Sequence, residues 1–135
     1  MEERILQELN KNQQDAVMHT EGPVLVFAGA GSGKTRVLTY RIAYLIKDHG
    51  VKPRSILAVT FTNKAANEMK ERIHDLLGVG ATGLWAGTFH GICARILRES
   101  GEEFGIPPNF TIFDDSDQLV LVRSSMEELD IDPKR

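Results

Sequence analysis

Apolar positions along the chain follow two different spacings. Between Arg36 and Asp48, the residues Leu38, Ile42, Leu45 and Ile46 recur at i, i+4, i+7 and i+8, which is one face of a helix. Asn63–Leu77 repeats that pattern with Ala66, Met69, Ile73, Leu76 and Leu77, and Gly78-Val79-Gly80 stops it. Gly91–Ser100 predicts another helix, and residues 1–20 are helical in part, with Asn10 placed to cap Lys11–His19. Three other runs are short and unbroken: Pro23–Phe27 (PVLVF), Ser55–Thr60 (SILAVT) and Leu84–Thr88 (LWAGT). Runs of this kind suit buried strands of a parallel sheet covered on both faces. Strands alternating with helices imply βαβ crossovers, hence an α/β fold.

The alternation breaks off after the third run. A loop-rich passage follows, from Gly101 to Phe113. Asp115-Ser116-Asp117-Gln118 then resembles a helix-capping arrangement, ahead of Leu119, Val122, Met126 and Leu129 on one face. Three strands make a thin sheet, so this reads as an unfinished domain. Charge divides the chain at about the same place. Residues 1–98 hold 13 Lys/Arg against 9 Asp/Glu, and residues 99–135 hold 3 against 10. The first part suits phosphate partners, and the second reads as a solvated helical appendage.

The 135 residues, 41% of them hydrophobic, match one modest domain. No apolar run reaches the length of a membrane span, and no signal peptide is seen. The single Cys93 rules out an internal disulfide framework and fits a reducing, cytoplasmic setting.

The candidate chemistry lies directly after the first apolar run. Ala28-Gly29-Ala30-Gly31-Ser32-Gly33-Lys34-Thr35 fits G-x-x-x-x-G-K-[ST], with Ala28 in place of the first glycine. Loop glycines let backbone N–H groups turn inward as an anion nest, and the helix that follows aims its positive end at the same point. Lys34 supplies a charge for β- and γ-phosphates, and Thr35 a hydroxyl for Mg²⁺.

Two further clusters end the second and third strands: Thr60-Phe61-Thr62-Asn63-Lys64 and Thr88-Phe89-His90. In open parallel sheets, ligands bind at this edge. Hydroxyls, an amide and helix N–H groups suit phosphate oxygens. The residues alone leave Phe61 open between a base-stacking platform and a core aromatic. Trp85 is expected in the core. Asn63-Lys64 starts like a guanine-binding N-K-x-D motif, but position 66 is Ala and the carboxylate is missing. His90 and Cys93 are too few to hold a metal.

The blocks LNKNQQDAV (Leu9–Val17), AGAGSGKTR (Ala28–Arg36), AVTFTNKAANEM (Ala58–Met69) and GTFHGICARILR (Gly87–Arg98), in this order, resemble the start of a superfamily 1 DNA helicase of the UvrD/PcrA/Rep type. The resemblance covers essentially the whole chain, including Ile112–Leu119. It implies the first part of a RecA-like P-loop NTPase domain in residues 1–98 and the beginning of an inserted helical subdomain in 99–135. It implies ATP with Mg²⁺ as cofactors, held by Gln13, Ala28–Thr35 and Arg36, with Gln13 reading adenine and Arg36 lying on its face. Asn10 and Gln13, three apart, also fit a capping box. It further implies single-stranded DNA across Thr60–Lys64 and Thr88–His90, 3′→5′ movement, and a second RecA-like domain as partner. Two alternatives remain. A stand-alone P-loop binding module needs nothing more than these residues. A compact P-loop kinase needs an acceptor site and a basic lid, and neither is seen.

Overall fold

A computed structural model describes residues 2–29, 31 and 33–132. In chain order the helices and strands are α1 (Glu2–Gln7), α2 (Lys11–Met18), α3 (Lys34–Lys47), β1 (Leu57–Thr60), α4 (Asn63–Leu77), β2 (Trp85–Thr88), α5 (Phe89–Ser100) and α6 (Asp115–Glu128). Short 3₁₀ turns occupy Pro53–Ser55, Gly78–Ala81 and Gly101–Phe104. The chain divides into two compact units, Met1–Arg95 and Ile96–Arg135.

In the first unit α3 is the central element. Tyr40 and Ala43 pack with Ile5, Leu9 and Val17 of the α1–α2 region, flanked by Val37 and Tyr44. Ile42, with Leu38 and Ile46 beside it, packs against Ala58 of β1 and Met69 and Ile73 of α4. The periodicity of α3 marks only the second of these faces. The first is built from Val37, Tyr40, Ala43 and Tyr44, so α3 is covered on two sides. Met69 is completely buried, and truncating a side chain so placed costs about 2–5 kcal/mol.

Helix ends follow local chemistry. Asn10 caps α2 through a full capping box with Gln13, and the Thr62 hydroxyl accepts from Ala65 N–H at the start of α4. Gly78, at φ 53°, ends α4, as the Gly-Val-Gly sequence implies. Arg41 ties α3 back to α2 through Ala16 O at 2.8 Å, and the Lys47 ammonium donates to Leu76 O at 2.7 Å.

β1 and β2 pair in parallel, Leu57 opposite Trp85 and Thr60 opposite Thr88. The α/β class and the parallel pairing are as expected, but the sheet of the described residues has two strands, not three. Pro23–Phe27 forms no strand, and Leu25 and Phe27 are 78% and 89% exposed. The reason is physical: an extended segment becomes a strand only when a neighbour supplies its ladder, and no described segment pairs with this one. Leu57 is also exposed, so β1 is not covered throughout on both faces. Trp85 is half-buried rather than core, with the Arg95 guanidinium 3.8 Å over its ring.

In the second unit Asp114 is the cap of α6, one residue before the expected position. Its carboxylate accepts from Asp117 N–H at 2.9 Å and Ser116 Oγ–H at 2.5 Å. These bonds, the serine hydroxyl's foremost, hold the Asp114 carboxyl below its ordinary pKa. The other end closes with Asp130 N–H on Glu127 O and Ile131 N–H on Met126 O, and Asp130 takes the left-handed conformation at φ 55°. Leu119, Val122, Met126 and Leu129 belong to neither core cluster.

Candidate functional site

The start of α3 differs from those of α2, α4 and α6. Those three are each capped by a side chain, whereas Gly33, the cap residue of α3, has none to offer. The first N–H groups of an α-helix have no partner inside the helix, so an uncapped start is a ready acceptor of anions. Gly33 sits at φ 82° and Gly31 at φ 75°, backbone that L side chains rarely adopt. Lys34 folds its ammonium over the same loop, donating to Gly29 O at 2.8 Å. Thr35 is half-buried on the first turn of α3. Ala30 and Ser32 lie outside the described residues.

Gly33 is also a meeting point. A Cβ placed there would lie 3.0 Å from Gln13 Nε2 and 3.7 Å from Arg36 Cβ. The Gln13 amide therefore rests against the end of the glycine loop, 20 positions away in sequence. Its Oε1 accepts from Asn10 N–H at 3.1 Å, so the capping role that the spacing allows is realised. Arg36 pairs through Nη2 with Glu8 Oε2 at 3.1 Å, and its guanidinium lies 5.3 Å from the centroid of the Tyr40 ring. The Tyr40 hydroxyl donates to the same Glu8 oxygen. Burial, and then this bond to a carboxylate, push the Tyr40 phenol above its ordinary pKa.

A cleft of about 620 Å³ opens beside the loop. Asn10, Gln13, Gly29 and Lys34 line its polar part; Val24, Val26, Val37 and Leu38 line the rest. Arg36 does not line it. The apolar part is the space left between Pro23–Phe27 and α3, so the loop and its two flanking side chains, not the whole cleft, are the candidate anion site. Among the described residues no Asp or Glu lines the cleft.

The second set of expected residues lies at the C-terminal edge of the sheet. Thr60 and Thr88 end adjacent strands in register. Phe61 follows at 82% exposure and Phe89 at 54%. Phe61 is thus no core aromatic in this arrangement. Phe89 and His90 fall in the first turn of α5, which begins two residues before the expected start, and the Thr88 hydroxyl caps it by accepting from Gly91 N–H at 3.1 Å. Asn63 and Lys64 are exposed on the first turn of α4. Ala66 is buried against the core, so a guanine-reading carboxylate there is excluded by packing as well as by identity.

Sequence reasoning missed Glu8 and Tyr40. They lie 32 positions apart and match no motif; only folding α1 onto α3 joins them.

Glycine loop, uncapped helix and lysine define an α/β protein with a candidate anion site at the head of its central helix. The chain belongs to the UvrD/REP helicase N-terminal domain family, whose sequence pattern matches residues 9–135. It is 54% identical over 132 residues to the ATP-dependent DNA helicase PcrA of Bacillus subtilis (strain 168), which covers 98% of this chain and 18% of that protein. It is 51% identical over 131 residues to the ATP-dependent DNA helicase PcrA of Staphylococcus aureus (strain Mu50 / ATCC 700699), covering 97% and 18%. The chain thus spans about a fifth of the length of the curated relatives it matches. Among the described residues no helix is long and apolar enough to cross a membrane.

Proposed function

We propose that this chain is the ATP-binding segment of a DNA helicase that uses ATP with Mg²⁺ to move 3′→5′ along single-stranded DNA. The observation that carries the reading is the convergence at Gly33. The uncapped start of α3 lies at Gly33, where the Gln13 amide and the Arg36 Cβ come close to a backbone that only glycine adopts easily, and the Lys34 ammonium folds over the same loop onto Gly29 O. Backbone N–H groups and Lys34 would hold the phosphates, Thr35 would offer its hydroxyl to Mg²⁺, Gln13 would read the adenine edge, and Arg36 would lie on its face. The metal supplies charge neutralisation on the phosphates when bound. Of the loop residues, Ala28, Gly29, Ala30, Gly31 and Ser32 give backbone and little side-chain bulk, which lets phosphate approach.

At the other sheet edge, Thr60–Lys64 and Thr88–His90 would take the DNA strand. The exposed Phe61 and Phe89 rings at adjacent strand ends support this. Pro23–Phe27 would then be a strand of a larger, RecA-like parallel sheet completed by the remainder of a longer chain, with a second RecA-like domain facing the loop. A stand-alone nucleotide-binding module is the weaker reading, because the similar proteins carry this segment within far longer chains.

Competition titrations test the base contact. Gln13→Ala should relax the preference for ATP over GTP, by roughly 5- to 150-fold if the amide makes a good bidentate pair worth about 1–3 kcal/mol. The substitution also removes half of the Asn10 capping box, but that loss weakens both nucleotides equally and cancels in the ratio. An unchanged ratio leaves Gln13 as a helix cap only.

A further inference from the structure

A guanidinium that stacks on a base must be held flat and in place before the base arrives. Otherwise binding must also order a long side chain, which weakens it. Arg36 is held in this way, from two sides. Glu8 Oε2 takes its Nη2 at 3.1 Å, and the Tyr40 ring lies beneath it at 5.3 Å. The two supports are themselves joined, because the Tyr40 hydroxyl donates to the same Glu8 oxygen. Tyr40 is 8% exposed and sits in the core cluster that joins α1, α2 and α3, so the base of the arrangement is rigid. The Arg36 side chain itself remains 42% exposed.

We propose that Glu8 and Tyr40 are positioning residues for Arg36, a carboxylate anchor and an aromatic floor that preset its guanidinium for an incoming base. The inference rests on the reading of Arg36 as the base-stacking cation. It makes the turn after α1 part of the nucleotide site, although that turn lies outside the glycine loop and its helix. It also explains the buried phenol: Phe would supply the floor, but only Tyr can fix the anchoring carboxylate.

A lone exposed ion pair contributes little, so the expected effect is modest. In the full-length protein, affinities are measured for ATP and for inorganic tripolyphosphate, which has phosphates but no base. Glu8→Gln and Tyr40→Phe should each lower the ATP-to-tripolyphosphate affinity ratio by roughly three- to tenfold, the size of a partly exposed cation–π contact. Taking the ratio removes the general attraction that any triphosphate gains when Glu8 loses its charge. It also removes losses of folded protein, and Tyr40→Phe keeps the packing should Glu8→Gln fold poorly. In an Arg36→Ala background neither change should lower the ratio further. If Arg36→Ala lowers the ratio while Glu8→Gln and Tyr40→Phe leave it unchanged or raise it, the positioning role is wrong and Arg36 stacks unaided. If Arg36→Ala leaves the ratio unchanged, Arg36 does not meet the base, and the reading beneath the proposal falls with it.

Discussion

Residues 1–135 alone are expected to hydrolyse ATP at least about 10³-fold more slowly than a full-length protein containing them. The proposed cradle would hold phosphate, but phosphoryl transfer needs more. The metal must be held from a second side by a carboxylate, a water must be oriented, and a cation must meet the charge of the transition state. Thr35 offers one hydroxyl. Among the described residues no Asp or Glu lines the cleft beside Lys34, and no group of three side chains could hold a metal. Asp114 and Asp115, the adjacent acidic pair that most resembles a metal-holding strand end, belong to the cap and first turn of α6. A cationic finger supplied across a cleft contributes about 10³–10⁵ in rate, which sets the size of the expected deficit. Steady-state phosphate release, with and without single-stranded DNA, reads it. DNA-stimulated turnover by the short chain that disappears in Lys34→Ala would mean that the site is complete within these residues, and the proposal would fail.

Phe61→Ala should weaken single-stranded DNA binding by the full-length protein by about 5- to 150-fold, the equivalent of ~1–3 kcal/mol for one stacked base. The ring is 82% exposed between the end of β1 and the capped start of α4, so removing it leaves no cavity. Stability should hardly change. Stacking releases no counterions, so the slope of affinity against salt should stay as it was. Lys64→Ala, in the first turn of α4, should instead reduce that slope by about one if it meets a phosphate. Titrations at several salt concentrations separate the two. A Phe61→Ala protein that binds DNA normally but unfolds at lower temperature would place the ring in an internal interface of the longer chain.

What could be read in the sequence was what depends on neighbours along it. The bounds of α4 follow from its apolar stripe, the Thr62 cap and Gly78, all local. Asn10 as a cap, the glycine loop and the lysine after it are equally local. Pro23–Phe27 misled because its composition states a preference for the strand, while a strand is a property of a pair. Its apolar residues are exposed for want of a partner, which no composition reports. Glu8 and Tyr40 stayed hidden for a related reason: a carboxylate gains meaning only when α1 packs on α3 and brings it to Arg36. Gln13 shows the reverse case. Its spacing from Asn10 pointed to capping and the resemblance to adenine reading; the fold realises the cap and sets the amide against Gly33.

The bare Val24–Phe27 segment has a consequence for how the short chain behaves in quantity. It is an extended, uncharged stretch of four large apolar residues, two of them more than three-quarters exposed, with a ladder left to fill. A second molecule can supply that ladder as readily as a missing part of the same one, and only Pro23 at its edge discourages the pairing. Prepared alone, the chain should therefore self-associate as its concentration rises, and Leu25→Lys should suppress this without touching the glycine loop. Light scattering against concentration, for both proteins, would show it; equal scattering would clear the segment. For a protein made residue by residue on a ribosome, the same stretch marks an interval in synthesis during which the nascent chain is sticky.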